Sequence, residues 1–178
     1  MRRYNLTAKM YDARYLEEQE AKYVTALECA AIDGGAVLDV GCGTGLLFDH
    51  TAARVDVLVG VDLAKKLLLL AKERARKFED VYLVQADADY LPFKLGFFRA
   101  VFAFTVLQNM PKPSESLLEI KRVAKLDASI VVTGLKKTFS LQALRNLLED
   151  AGLHPLCIVD RYFLKCYVAV SCLVKKPC

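Results

Sequence analysis

The feature that most constrains this chain is a run of glycines at alternate positions directly after a short apolar stretch: Val37-Leu38-Asp39-Val40-Gly41-Cys42-Gly43-Thr44-Gly45. Such a run lets the backbone turn sharply at the end of a strand and brings a ligand to the main chain, where any Cβ would collide. The next apolar run ends at an acid, Asp62, seventeen residues beyond Gly45. A carboxylate in that place can accept both hydroxyl protons of a ribose. Dinucleotide sites use Gly-x-Gly-x-x-Gly, so that a pyrophosphate lies against the following helix. Here the spacing is Gly-x-Gly-x-Gly and Asp39 precedes it. That carboxylate would repel a pyrophosphate but suits a ligand carrying an ammonium and a sulfonium.

The rest of the chain supplies the scaffold for such a loop. Apolar positions at helical spacing run from about Tyr11 to Ala31 and stop at Asp33-Gly34-Gly35. Short apolar runs predict strands at 37–40, 56–61, 81–84, 100–106 and 129–133, separated by predicted helices at 46–55, 64–78 and 117–124. Alternation of this kind indicates a parallel sheet covered on both faces. After a helix over 141–151, stretches 156–160 and 166–174 are too close to be joined by a crossover and must pair antiparallel. The expectation is an α/β fold with seven strands, mostly parallel, and one antiparallel strand near the C-terminus.

Composition sets bounds. The 178 residues are 54% hydrophobic, enough to bury the core of a single domain and too apolar for a disordered chain. We read residues 1–33 as an N-terminal helical arm and 34–178 as the core of one domain. Lys and Arg interrupt every apolar run before it reaches membrane-spanning length, and the N-terminus lacks an apolar signal core. No membrane association and a cytoplasmic location are therefore expected. The net charge of +4 is spread along the chain, permitting an anionic partner without requiring one. The group Lys72, Arg74, Arg76 and Lys77 reads as a solvated helix face. None of the six cysteines forms a Cys-x-x-Cys pair, and His50 and His154 lie outside ligand spacing, so no metal site is expected; the thiols read as mostly buried.

Further stretches complete a pattern: Gly60-Val61-Asp62-Leu63, Gln85-Ala86-Asp87-Ala88-Asp89-Tyr90-Leu91-Pro92-Phe93, Arg99 to Leu107, and Leu118-Glu119-Ile120-Lys121-Arg122-Val123. With the glycine loop they resemble the motifs of class I S-adenosylmethionine-dependent methyltransferases, of the methyltransferase type 11 group, over nearly the whole chain. The resemblance implies a Rossmann-like three-layer sandwich with strand order 3-2-1-4-5-7-6, and S-adenosyl-L-methionine as cofactor. One departure is Lys125-Leu126-Asp127-Ala128, where family members often have a Pro-Gly-Gly turn.

Carried onto this sequence, the resemblance implies that Gly41, Cys42, Gly43 and Gly45 approach the cofactor and that Asp39 receives its ammonium. Asp62 would hold the ribose and Leu63 an adenine face. Asp87 and Ala88 would meet the adenine, and Phe104 and Thr105 are further candidate cofactor-binding residues. Asp89 reads as a surface acid, and Phe97 and Phe98 as core. The arm carries Tyr4, Tyr11 and Tyr15; in similar enzymes it folds over the cofactor, which makes Tyr11 a candidate contact at the methionine end.

The acceptor is less determined. The segment Thr105-Val106-Leu107-Gln108-Asn109-Met110-Pro111 lacks the Asn/Asp-Pro-Pro-Tyr/Phe motif of amide and base-nitrogen methyltransferases and the Pro-Cys pair of RNA cytosine enzymes. Gln108 and Asn109 are the candidate catalytic residues, able to hydrogen-bond an acceptor though poor bases. The expected acceptor is a macromolecule of the translation apparatus, RNA or protein. The uncharged stretch 81–84 would form an exposed edge strand, covered by a small activator subunit or by a second copy in a homodimer. A small metabolite such as a quinone is the alternative acceptor, and a non-catalytic cofactor-binding subunit the alternative role.

Overall fold

The computed structural model describes the backbone of residues 2–30 and 32–174, and the side chains within those ranges from residue 16 onward. Helix α1 (Arg2–Cys29) leads into strand β1 (Ala36–Val40), followed by α2 (Phe48–Thr51), β2 (Val57–Asp62), α3 (Lys65–Ala75) and β3 (Val81–Gln85). Then come β4 (Phe98–Ala103), α4 (Pro113–Val123), β5 (Ala124–Leu135), α5 (Leu141–Asp150), β6 (His154–Val159) and β7 (Cys166–Cys172). The described residues form one seven-stranded sheet in the order β3-β2-β1-β4-β5-β7-β6.

Successive side chains of a strand point to opposite faces, and β1 uses both. Leu38 and Val40 join Leu117, Ile120, Leu144 and Leu148, from α4 and α5, on one face. Val37 packs on the other with Ala26, Phe48, Leu68 and Ala71, from α1, α2 and α3. The result is three layers, helix–sheet–helix. Strand β1 pairs parallel with β2 and β4, and β4 with β5. Strand β7 alone runs against its neighbours, antiparallel to both β5 and β6.

Several boundaries differ from expectation. The helix expected over 46–55 is one turn, Phe48–Thr51, followed by a 3-10 turn over Ala52–Arg54, because the glycine loop continues as hydrogen-bonded turns through Gly45 N–H to Cys42 O and Phe48 N–H to Gly45 O. Residues 125–128, expected as a loop, lie within β5, which starts directly after α4 and slips register against β4 between Phe98 and Ala100. Phe98 is core, but Phe97 is 47% exposed. Cys42, Cys166 and Cys172 are buried, whereas Cys29 is exposed.

The chain winds from β1 outward to β3 on one side, then returns through β4 to build the other. The carboxyl ends of β1 and β4 flank this change of direction, the place where open α/β sheets hold their ligands.

Candidate functional site

A cavity of about 690 Å³ opens at that edge of the sheet, within the roughly 300–1,000 Å³ range of small-molecule sites. The loop after β1 forms its floor with Gly41, Cys42, Gly43 and Thr44. Asp62 and Leu63 after β2 and Ala86 to Asp89 after β3 form one side. Phe104, Thr105 and Val106 after β4, with Asn109, Met110 and Pro111, form the other, and Gln19 and Tyr23 of α1 close it.

Gly41 and Gly43 have φ of +69° and +56°. A Cβ on Gly41 would come within 2.5 Å of Val106 Cγ2, but one on Gly43 would meet nothing within 4 Å. That open space lies over the loop backbone. Asp62 sets the loop in place: Oδ2 accepts from Gly43 N–H at 2.9 Å and Oδ1 from Ala64 N–H at 2.8 Å. Each oxygen keeps a second lone pair. Behind the loop, Arg74 Nε donates to Thr44 O at 3.2 Å and its guanidinium pairs with Asp49 at 2.6 Å. Arg74 thus braces the loop, while Lys72, Arg76 and Lys77 are exposed, as a solvated face requires.

Asp39 lies buried beneath the loop. Burial, reinforced by the negative charge of Asp62, holds its carboxyl well above the ordinary carboxylate range. A cation placed beside it would relieve that cost. Burial, with Asp39 and Asp62, also raises the Cys42 thiol far from its usual value, so Cys42 is no nucleophile.

At the end of β4, Thr105 adopts φ +63°, the one non-glycine residue with positive φ among the described residues. For a β-branched residue this is a strained conformation, of order 1–3 kcal/mol. Four hydrogen bonds hold it. Thr105 N–H donates to the buried Thr133 Oγ1 at 2.7 Å, and Thr105 O accepts from Asn109 Nδ2 at 2.8 Å. Thr105 Oγ1 accepts from Gln19 Nε2 at 3.3 Å and Lys22 Nζ at 3.4 Å. Beside it, the ring of Tyr23 meets Phe104 edge-on at 4.8 Å.

Of the residues singled out from the sequence, Asp39, Gly41, Cys42, Gly43, Asp62, Leu63, Asp87, Ala88, Phe104, Thr105 and Asn109 all line this one cavity. Gly45 does not: its missing Cβ would strike the Phe48 ring at 2.4 Å, so its role is packing. Gln108 shares the 3-10 turn Leu107–Asn109 but is not among the lining residues. The side chain of Tyr11 lies outside the described residues. Asp89, expected at the surface, lines the cavity and accepts from the buried Ser116 of α4. Gln19 and Tyr23 carry no sequence signal that marks them for the site. They lie one helical turn apart on α1, but nothing local says which face of that helix meets β4.

The described residues contain no group of three or more His, Cys, Asp or Glu able to hold a metal ion, and no helix long and apolar enough to cross a membrane.

Fold and cavity define a class, an α/β domain whose glycine loop and acid after β2 surround a small-molecule site. A family model described as a methyltransferase domain matches residues 38–132, more than half of the chain, which therefore belongs to that family. An uncharacterized protein of Methanocaldococcus jannaschii is 32% identical over 135 residues, covering 73% of this chain and 49% of that protein. The ubiquinone biosynthesis O-methyltransferase of Dechloromonas aromatica is 31% identical over 115 residues, covering 62% and 48%. The chain thus spans about half the length of the curated relatives it matches. Among solved structures, a SAM-dependent methyltransferase from Aquifex aeolicus superposes with a TM-score of 0.76 at 20% identity, over 85% of this chain and 89% of that one. A chain from the complex between the Haloferax volcanii Trm112 methyltransferase activator and a putative methyltransferase gives 0.76 at 16% identity, over 94% and 93%. At these identities the likeness is one of fold.

Proposed function

We propose that this chain is an S-adenosylmethionine-dependent methyltransferase. The observation that carries the reading is the carboxylate of Asp62 fixed beside Gly43, at the edge of open space over the glycine loop. The fit extends to charge. Asp39, Asp62, Asp87 and Asp89 line the cavity, and no Lys, Arg or His does so among the described residues. That lining suits a cofactor with an ammonium and a sulfonium and opposes a dinucleotide's pyrophosphate.

When bound, the cofactor supplies a sulfonium methyl carbon open to in-line displacement. The protein contributes position and exclusion of water. Asp62 uses its free lone pairs for the ribose hydroxyls. Leu63, 65% exposed at the cavity rim, and Ala88 flank the adenine, and Asp87 accepts from its amino group. Asp39 takes the ammonium. Phe104 and Tyr23 stand at the sulfonium end, where the face of an aromatic ring favours a cation. Asn109, with its amide nitrogen held by Thr105 O, faces the acceptor side.

For the acceptor, a macromolecule of the translation apparatus is the first reading, with a partner on β3. Strand β3 is an edge of the sheet, carries no charged residue, and exposes 54% of Tyr82. Exposed apolar edges can recruit another strand, and the likeness to a chain found in complex with an activator favours such a partner. A small-molecule acceptor is the second reading, favoured by the likeness to the ubiquinone biosynthesis enzyme.

Calorimetry with S-adenosylhomocysteine tests the cofactor, and tritiated methyl transfer into the RNA, protein and small-molecule fractions of a cell extract tests the acceptor. Binding with transfer into one fraction assigns the acceptor. Binding without transfer leaves a cofactor-binding subunit, and no binding removes the reading.

A further inference from the structure

Two thiols outside the cavity meet where α1 ends on the sheet. Strand β6 pairs with β7 at His154↔Cys172 and Pro155↔Ser171 and then slips by one residue, so that Cys157 rather than Leu156 stands opposite Val170. A bulge of this kind sends the side chains beyond it to the other face of the sheet. In unbroken register Cys157 would oppose Ala169 and share its face, toward α4 and α5. With the bulge it packs instead on the cluster of Val170, Ala26 and Ala30, beneath the end of α1. Cys29 sits on the last turn of α1, between Ala26 and Ala30 in the chain, and is exposed.

The two side chains are in contact. The Cys157 thiol is raised to about 11, by burial first and then by its hydrogen bond with Cys29. Glu28, on the same turn of α1, pairs with Arg161 beyond the end of β6 at 2.8 Å, so a second link holds this end of the helix in place. Among the described cysteines only Cys29 is exposed; Cys42, Cys166 and Cys172 are buried and Cys157 is half-buried. An oxidant arriving from solvent therefore meets Cys29 first, and Cys157 is the thiol within its reach.

We propose that Cys29 and Cys157 form a reversible disulfide by exchange with a small disulfide such as glutathione disulfide, and that the cross-link fixes α1 to the sheet. The Cys29 thiolate attacks one sulfur of the oxidant, whose S–S bond breaks and whose first half leaves as a thiolate. Cys157, giving up its proton, then attacks the Cys29 sulfur and expels the second half. The two protein thiols are oxidised, the oxidant is reduced to two thiols, and the two protons lost by the protein end on them. The consequence reaches the cavity because α1 also carries Gln19 and Tyr23 of its wall. With the end of the helix tied down, that wall opens less readily. The switch goes beyond the methyltransferase reading and does not depend on it.

The test incubates the full chain with glutathione disulfide and maps it by mass spectrometry without reduction. A peptide pair joining Cys29 to Cys157, lighter by two hydrogens and separated again by dithiothreitol, is expected. Hydrogen exchange should then show the α1 amides around Gln19 and Tyr23 exchanging several-fold more slowly in the oxidised protein. Cys29→Ser, at an exposed position, should fold normally and lose both the cross-link and the slowing. A mixed disulfide left on Cys29, a link from either thiol to Cys178, or a cross-link that leaves α1 exchange unchanged overturns the proposal. Slowing that persists in Cys29→Ser overturns it as well. Calorimetry with S-adenosylhomocysteine is read separately: failure to bind removes the cofactor reading, while the peptide map and the exchange rates still decide the switch.

Discussion

Asp62 and Gly43 are joined by a 2.9 Å hydrogen bond from the glycine N–H to the carboxylate, so the end of β2 fixes the shape of the loop that follows β1. One side chain thereby has two duties, holding the loop and facing the cavity. Asp62→Ala should weaken S-adenosylhomocysteine binding by about 1.5–3 kcal/mol, the value of hydrogen bonds to a charged group. Calorimetry on the variant measures this, and an unchanged affinity would remove Asp62 from the ribose.

Asp39 should show the opposite signs in binding and stability. Its carboxyl is held above the ordinary range by burial and by Asp62. The stability it contributes is full below the ordinary carboxylate range and is lost as pH rises through the elevated value. Asp39→Asn should therefore raise the melting temperature of the ligand-free protein at neutral pH and flatten its fall with pH, while weakening binding. Placing an ammonium beside Asp39 favours the carboxylate, so binding to the unsubstituted protein should release protons, measurable by calorimetry in buffers of different ionisation enthalpy.

Two glycines of the loop should respond differently to alanine. Both have positive φ, so each substitution carries roughly 1–2 kcal/mol of backbone strain. At Gly43 the added Cβ meets open space, so Gly43→Ala should fold yet lose at least tenfold in S-adenosylhomocysteine affinity. Gly45→Ala drives a Cβ into the Phe48 ring and should lose much more stability, read by chemical denaturation.

Thr133 is fully buried and accepts the Thr105 N–H. Thr133→Val removes the acceptor and leaves that N–H unpaired, at about 1–3 kcal/mol. Urea titration should show the loss, and the strained turn at Thr105 should become more mobile in amide exchange.

If β3 is an edge awaiting a partner, the isolated chain should self-associate as concentration rises, and Tyr82→Lys should suppress this by placing a charge on the edge. Sedimentation velocity decides it. An unsubstituted chain that stays monomeric at high concentration would defeat the idea of a covered edge.

Much of the fold was legible because its signals are local. The apolar run at Val37–Val40 marks a strand buried on both faces, and the closeness of β6 to β7 leaves them only antiparallel pairing. Boundaries were less legible where tertiary contacts act. Arg122 donates to Glu119 and to the carbonyls of Leu91 and Phe93, tying α4 to the segment after β3. That places Ser116 against Asp89, which drew an acid expected at the surface into the cavity wall.

The sequence by itself determined the glycine loop, the acid Asp39 ahead of it, the acid after β2, and the alternation of strands and helices. Each is a spacing within one element or between adjacent ones, and backbone sterics and burial act at that range. The tertiary structure alone decided which face of α1 meets β4, why Thr105 is held left-handed, and that Gln19 reaches it. Gln19 and Thr105 are 86 residues apart, and no periodicity in either segment encodes their meeting. It follows from the packing of α1 across the sheet, where the burial of many side chains at once outweighs the strain.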